Sequence, residues 1–163
     1  MGDGEAAVKN RDIFVKAFVL RNGFHVNGDQ SKSGYSGFTY RPFTLEGNFL
    51  ASQAVHEMLL QSWSANPGEV HTGLIRIFPA MPEKWADASF ANLRAEGGFL
   101  VSAVRKNRKT TSFNITAAKT GKLRIKDNFD GNEPKWNVKG VTKTGDVYEV
   151  NLIKGQKLQA VLN

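Results

Sequence analysis

The chain has 163 residues with an ordinary apolar content of 40 %, and the absence of cysteine excludes a disulfide framework and a cysteine-ligated zinc site. No apolar run approaches the ~20 residues that a membrane-spanning helix requires, so we expect no membrane partner. The net charge of +7 comes from residues 66–163, which carry sixteen basic and nine acidic side chains, whereas residues 1–65 carry six of each. Because no stacking aromatic residues interleave with these charges, we expect a solvated strand surface and no nucleic-acid partner.

The first predicted element is a helix over residues 4–22. Apolar residues recur there at helical spacing, Asp3 is a suitable N-cap, and the Asn22-Gly23 pair supplies a left-handed stop. The following residues, 23–45, are polar and rich in glycine and serine, which predicts a loop. The loop is too long for a simple connection, and loops of this length are usually functional or disordered.

A second helix is predicted from residue 49 to residue 63, with Asn48 as its N-cap. Both predicted helices carry apolar residues around much of their circumference, although two helices share only one mutual interface. A helix that is apolar on several sides must be covered on several sides. We therefore expect these two helices to pack against further helices that lie upstream of this sequence.

Beyond residue 68 the apolar pattern shortens to the period of β-strands. The predicted strands are residues 74–78, 99–104, 110–115, 122–125, 138–141, 147–152 and 157–162. Residues 106–108 are expected to form a charged hairpin turn between two of them. Short strands separated by Gly, Asn or Asp predict an antiparallel sandwich, and therefore an α+β chain with a helical part over residues 1–65 and a β-sandwich over residues 66–163.

Several segments resemble a known enzyme family when they are taken together. In chain order they are residues 24–30, 38–49, 57–62, 77–85 and 93–101. In this order they resemble the end of glycoside hydrolase family 95 proteins of the α-L-fucosidase type, and the likeness spans most of residues 4–115. Each segment alone is a weak signal, whereas their chained order makes the resemblance specific.

The resemblance implies an architecture that extends beyond this sequence. Family members carry an N-terminal β-domain, an (α/α)6 barrel and a C-terminal β-sandwich, and this chain would keep the last barrel helices and the sandwich. The missing partners would then be the upstream barrel helices, which accounts for the over-apolar predicted helices. Parent enzymes of the family are periplasmic or extracellular, although residues 1–5 are acidic and contain no apolar export signal.

The resemblance also implies a reaction. Family 95 enzymes invert the anomeric centre, which requires a general acid on one side of the glycosidic bond and an activated water on the other. The family's general acid, and the asparagines that hold the water, lie upstream of the region that this chain resembles. The aspartate that polarises those asparagines falls at Glu46, and a histidine six positions earlier in the fucosidases falls at Tyr40.

Glu46 is therefore the expected catalytic residue, because a carboxylate that accepts a hydrogen bond makes the amide oxygen facing the water more basic. Tyr40, Arg41 and Asn48 are expected to contact the substrate, an oligosaccharide or glycan. Each has a simpler alternative. Glu46 could stabilise the helix N-terminus by a charge–dipole attraction worth ~0.3–1 kcal/mol, Tyr40 and Arg41 could anchor the loop, and Asn48 could only cap the helix.

We expect neither a metal nor a cofactor. His25 and Asp29 are four residues apart in the predicted loop, but His56 and His71 do not have the spacing of further ligands. Two other functions remain open at this point. A non-catalytic carbohydrate-binding or scaffold module would show aromatic residues on one exposed sheet face, and a nucleic-acid-binding protein would show a contiguous Lys/Arg stripe.

Overall fold

The computed structural model describes residues 2–63 and 73–162, which fold into two compact units. The helical unit comprises Met1–Met58 together with Ala80–Pro82, and the strand unit comprises Leu59–Pro79 together with Glu83–Asn163. The predicted boundary between residues 65 and 66 lies outside the described residues. Helices followed by antiparallel sheets confirm the α+β class and the β-rich C-terminal part, whereas the origin of the helices in a barrel stays a prediction.

Helix α1 spans Gly4–Phe18, and Asp3 is its N-cap as predicted, since its carboxylate accepts a hydrogen bond from the Ala6 N–H at 2.8 Å. The predicted end at the Asn22-Gly23 pair is wrong by four residues. The chain leaves the helix in an extended conformation at Val19, which forms a β-bridge with His25. The Asn-Gly pair makes the tight turn of this short hairpin, a common role for that dipeptide.

Helix α2 spans Leu45–Leu59, so it begins and ends four residues before the predicted bounds. The predicted N-cap, Asn48, is instead the fourth residue of the helix. Its side-chain oxygen accepts a hydrogen bond from the His25 N–H at 2.9 Å, and its amide donates to the Gly23 carbonyl at 2.7 Å. Asn48 therefore fastens the turn that follows α1 to the first turn of α2.

The predicted long loop is ordered because residues 25–44 pair with each other as an antiparallel ribbon. At its base the Thr44 N–H donates to the His25 carbonyl at 3.2 Å, and a β-bridge joins Val26 to Phe43. Farther along, the Asp29 N–H donates to the carbonyl of Phe38 at 2.8 Å. We call residues 25–44 the ribbon. Helix α2 begins at the next residue, Leu45.

The tip of the ribbon is organised around one buried carboxylate. Asp29 is only 1 % exposed, and its oxygens accept hydrogen bonds from the backbone N–H groups of Ser31, Ser33 and Tyr35 at 2.9–3.0 Å. The Ser31 hydroxyl donates to the same carboxylate at 2.6 Å. These donors favour the charged form, so the pKa of Asp29 lies below the ordinary aspartate value, with the Ser31 hydroxyl as the main cause.

The strand unit contains ten strands within the described residues. They are β1 Leu60–Gln61, β2 Arg76–Ile77, β3 Ala88–Ala95, β4 Phe99–Lys106, β5 Lys109–Ala117, β6 Gly121–Lys126, β7 Lys135–Trp136, β8 Thr142–Thr144, β9 Val147–Leu152 and β10 Lys157–Val161. They form a five-stranded sheet in the order β3-β4-β5-β10-β7, a three-stranded sheet in the order β6-β9-β8, and the pair β1-β2. Every pair within these sheets is antiparallel.

Alternating burial along the strands builds the core of this unit. Phe113 on β5 is fully buried and stacks on Phe129 at 5.4 Å, while its other ring neighbour is Trp136 on β7. Trp136 in turn meets Tyr148 of the three-stranded sheet at 5.0 Å in an edge-to-face contact. Aromatic contacts therefore join the two sheets, which fits the predicted sandwich.

The predicted strands differ from the structure at several places: the short strands β1, β7 and β8 were not predicted, and the strand predicted at residues 74–78 is limited to Arg76–Ile77. The predicted strand at residues 138–141 is a bend, because Gly140 has a left-handed φ of 82° and the Asn137 side chain is held by the Gln159 N–H and the Lys157 carbonyl. Strand β3 was not predicted; its pairing with β4 is interrupted by an irregularity at Asn92, whose φ is 56°. The predicted hairpin turn after β4 is present.

None of the helices in the described ranges is long and apolar enough to cross a membrane.

Candidate functional site

The helical unit contains an open groove with a volume of about 660 Å³. Its walls come from both helices and from the base of the ribbon. The lining residues are Ala7, Asn10, Arg11, Phe14, His25, Asn27, Thr44, Glu46, Gly47, Leu50, Ala51, Ala54, Val55 and Met58. Apolar side chains of the two helices form most of the surface, the ribbon contributes the polar residues His25, Asn27 and Thr44, and the start of α2 contributes Glu46.

Glu46 contributes the only carboxylate among the residues that line this groove. It is the second residue of α2, where the partial positive charge of the helix N-terminus favours an anion. The side chain is exposed, and within the described residues no hydrogen bond or ion pair engages its oxygens. Both oxygens are thus open to a group that enters the groove.

Three further polar residues of the groove form a hydrogen-bonded chain. Nδ1 of His25 lies 2.6 Å from the Thr44 hydroxyl, and this hydroxyl donates to the Asn27 side-chain oxygen at 3.2 Å. Nδ1 also lies 3.2 Å from the Thr44 carbonyl oxygen. Thr44 directly precedes α2, so the chain of bonds ties the base of the ribbon to the start of the helix that carries Glu46.

The His25 ring is fixed on its faces and edges by packing. It stacks on Phe14 of α1 with the ring centroids 5.2 Å apart and the planes inclined by 5°. On the α2 side, a β-carbon added to Gly47 would lie 2.3 Å from His25 Cγ and Nδ1, so only glycine allows the ring to approach this closely. His25 therefore fills the space between Phe14 of α1 and Gly47 of α2.

The other predicted substrate-binding residues do not line the groove. Tyr40 is 51 % exposed and contacts Phe38 edge-to-face at 5.3 Å, and Arg41 donates from Nε to the Gln30 side-chain oxygen at 2.7 Å. Asn48 holds the turn before His25. The structure thus brings only Glu46 of the four predicted site residues into the groove, and the functional role of each stays a prediction.

The groove residues that sequence reasoning missed are His25, Asn27 and Thr44. His25 was considered only as a metal ligand paired with Asp29, but the Asp29 oxygens are occupied by its own turn. No group of three or more metal-binding side chains occurs within residues 2–63 and 73–162, and His71 lies outside those ranges. The pairing of the ribbon brings these residues together, because it places position 25 opposite position 44 and position 27 opposite position 42.

Large apolar side chains are exposed mainly in the helical unit. Phe49 and Leu50 of α2 are 65 % and 69 % exposed, and the ribbon exposes a further aromatic set. That set is Tyr35, Phe38, Tyr40 and Phe43. In the described part of the strand unit, the exposed large apolar side chains are Ile153 and Val161, neither of which is aromatic.

Several basic side chains of the three-stranded sheet are paired with carboxylates. Glu149 accepts from Lys122 at 2.7 Å and from Arg124 at 3.0 Å, and these contacts, with Lys122 first, lower the pKa of Glu149. Lys143 lies 2.6 Å from Asp127, which raises the pKa of the lysine. In this sheet, acidic side chains therefore lie between the basic ones and interrupt the predicted basic surface.

The sequence signature of the C-terminal domain of glycoside hydrolase family 95 matches residues 69–159, more than half of the chain. This match assigns the strand unit to a carbohydrate-active enzyme class. The chain therefore belongs to glycoside hydrolase family 95 and contains its C-terminal portion, which confirms the resemblance noted in the sequence. No protein of curated function matches the chain in sequence.

Proposed function

We propose that this chain is the C-terminal part of an inverting exo-α-glycosidase of the α-L-fucosidase or α-L-galactosidase type that acts on glycans. In this proposal Glu46 accepts a hydrogen bond from an upstream asparagine and so makes its amide oxygen more basic toward the attacking water. The upstream barrel helices complete the site and cover the exposed apolar side chains of the helical unit. In the same proposal, the side chains of Tyr40, Arg41 and Asn48 either contact the substrate or anchor the loop beside it.

One observation carries the proposal: Glu46 presents an unoccupied carboxylate in an apolar groove within the described residues. The upstream helices of this proposal would exclude water from the groove, and a hydrogen bond to a carboxylate is stronger in such a surrounding than in water. Glu46 also stands in the first turn of α2, where the partial positive charge of the helix N-terminus favours an anionic acceptor. Membership of family 95 supplies the reaction class.

The composition of the groove also supports the proposal that upstream residues complete the site. Inverting glycosidases use two groups on opposite faces of the sugar, commonly two carboxyl groups about 6.5–9.5 Å apart. The groove lining contains one carboxylate, Glu46. A general acid contributes roughly 10²–10⁴-fold to such a reaction, so its loss alone removes most of the rate.

We therefore expect the purified chain to hydrolyse neither aryl α-L-fucosides nor aryl α-L-galactosides. The measurement is release of the aryl alcohol by the chain alone, with the variant Glu46→Gln assayed in parallel. Turnover well above background that disappears in Glu46→Gln would contradict the need for upstream groups.

In an enzyme that carries the complete barrel, Glu46→Gln should lower kcat with little change in KM, because the interaction is made mainly in the transition state. Loss of a charge-assisted hydrogen bond of about 1.5–3 kcal/mol corresponds to a rate loss of roughly ten- to over a hundredfold. The matched control is Glu57→Gln, which changes a glutamate of the same helix that does not line the groove and bonds to Gln53. An unchanged kcat in Glu46→Gln, with only a lower melting temperature, would assign Glu46 to helix stabilisation.

A further inference from the structure

We infer that His25 is a second ligand-binding residue of the groove, and that its Nε2 atom accepts a hydrogen bond from a hydroxyl group of a bound pyranose. The choice of a sugar as the ligand rests on the proposed function. The assignment of His25 rests on the hydrogen bonds and packing around its ring.

The first step is the tautomer of the ring. The Thr44 carbonyl oxygen, 3.2 Å from Nδ1, can only accept a hydrogen bond, so the contact requires a proton on Nδ1. The Thr44 hydroxyl, 2.6 Å from Nδ1, uses its own proton in the bond to Asn27 and therefore also accepts from Nδ1. Both oxygen atoms of Thr44 can thus accept from Nδ1, which favours the proton of the neutral ring on Nδ1 and leaves a lone pair on Nε2.

The second step is the freedom of Nε2. No residue in the described ranges hydrogen-bonds this atom, although the ring is half-buried and lines the groove. It is also not among the buried side-chain atoms that lack a partner, so it is reached by solvent. A ligand in the groove can therefore meet a hydrogen-bond acceptor whose orientation is already fixed.

The third step is the preorganisation of the ring. Stacking on Phe14, the close approach of Gly47, and the two bonds to Thr44 hold the imidazole before any ligand enters. A fixed acceptor loses less entropy on binding than a mobile side chain does. This arrangement distinguishes His25 from a histidine that merely fills space, because a space-filling ring needs no free nitrogen in a cavity.

The fourth step is the class of ligand. Glu46 and His25 Nε2 both offer lone pairs, while most of the remaining groove is apolar. A pyranose presents hydroxyl donors along its edges and C–H groups on its faces, so it matches a groove that combines acceptors with apolar walls. Arg11, the other charged residue that lines the groove, pairs with its neighbour Asp12.

The tautomer is tested first, without a ligand, by ¹⁵N NMR of the histidine rings at neutral pH. We expect His25 to show a protonated Nδ1 and an unprotonated Nε2 when its ring is neutral. Thr44→Val removes one of the two acceptors at Nδ1 and should raise the population of the Nε2–H tautomer. A His25 ring that carries its proton on Nε2 in the unaltered chain would overturn the inference.

Ligand binding is tested with methyl α-L-fucopyranoside, added to its solubility limit, with glycerol as a polyol lacking the ring. We expect the sugar to shift the Nε2 resonance of His25, and His25→Phe to weaken binding about 2- to 10-fold, the effect of one lost hydrogen bond. Phenylalanine keeps an aromatic ring to stack on Phe14 but removes both nitrogens. The matched control is His56→Phe, since His56 lies on α2 and does not line the groove.

The outcomes separate this inference from the proposed function. Shifts of groove amides around Glu46 without any response at His25 Nε2 would overturn the inference and leave the proposed function standing. A response at Nε2, combined with an intact enzyme in which Glu46→Gln leaves kcat unchanged, would support the inference and overturn the proposed function. No response to the sugar, an equal response to glycerol, or equal losses in His25→Phe and His56→Phe would each overturn the inference.

Discussion

At the scale of single residues, Asp29 shows how one carboxylate can order a polar segment. Its oxygens accept hydrogen bonds from three backbone N–H groups of the following turn, which would otherwise have no partner within that turn. Because the pKa of Asp29 is lowered in the folded state, the group stabilises the fold above the ordinary aspartate pKa of 3.8. That contribution is lost as the pH falls from about this value through the lower folded pKa.

We therefore expect the helical unit to lose stability below about pH 4 in an Asp29-dependent manner. Asp29→Asn should be less stable than the unaltered chain at pH 7, because an amide donor would face the N–H groups of the turn, and its stability should depend less on pH. Amide exchange of Ser33 and Tyr35 at pH 7 and pH 3 measures the effect.

The control for this prediction is Asp12→Asn, which removes an exposed carboxylate paired with Arg11 on α1. Exposed ion pairs contribute little, so this variant should behave like the unaltered chain at both pH values. Equal pH dependence in Asp29→Asn and the unaltered chain would mean that other groups govern the acid response.

The roles of individual residues are predicted with uneven success. The roles that depend on neighbours close in sequence are predicted correctly, and those that depend on distant residues are not. Asp3 is correctly predicted because capping depends on neighbours three residues away. Asn48 is wrongly predicted as a cap because its side chain is taken by His25 and Gly23, more than twenty residues earlier in the chain. The close approach of His25 to Gly47, the residue after Glu46, likewise depends on the ribbon, which a local pattern does not reveal.

At the scale of elements, a helix or strand is predicted accurately when its pattern of apolar residues is regular. Strand β9, Val147–Leu152, has the predicted bounds because its apolar residues alternate and turns flank it. Strand β3 was missed because its exposed residues outnumber its buried ones and its register changes near Asn92. Helix α1 ends early because pairing of Val19 with His25 competes with continuation of the helix.

A prediction at this scale concerns the contact between the ribbon and α2. Gly47→Ala would place a β-carbon against the His25 ring, which Phe14 and Thr44 prevent from moving away. We expect a loss of about 1–3 kcal/mol in the free energy of unfolding of the helical unit, the usual cost of overpacking. Urea unfolding measures the loss, and the His25 ring resonances report the displacement.

The matched control is Gly37→Ala. Its added β-carbon would meet no atom within 4 Å, and no positive φ is required there. This variant should be neutral or more stable by up to about 1 kcal/mol, because alanine restricts the unfolded chain. Similar destabilisation by both alanines would show that the ring contact at Gly47 does not limit the packing.

At the scale of the whole molecule, exposed apolar surface concentrates in the helical unit. Exposed apolar patches mark sites of association or a tendency to aggregate. We expect the isolated chain to self-associate through this surface, with Phe49 as a contributor because its side chain is 65 % exposed and does not line the groove.

Phe49→Lys should weaken this self-association roughly ten- to a hundredfold, since burial of a phenylalanine contributes about 1.5–3 kcal/mol. Light scattering over a range of concentrations measures it. Ile153→Lys is the control, because Ile153 is 66 % exposed but belongs to the strand unit. A strictly monomeric chain, or equal weakening by both variants, would contradict an interface formed by the helical unit.

The division of the chain into units has a consequence for protein dissection. The segment Ala80–Pro82 belongs to the helical unit, although both of its flanking segments belong to the strand unit. A β-carbon on Gly4 would lie 2.3 Å from the Met81 carbonyl carbon, so this segment is packed tightly against the start of α1. A protein that begins at Glu83 would also lack β1, β2 and Ile75. The backbone of Ile75 is hydrogen-bonded to Arg124 and Lys126 of β6, so this pairing would be lost. No single cut in the polypeptide can therefore release either unit whole, and limited proteolysis between the units should yield nicked pieces that remain associated until they are denatured.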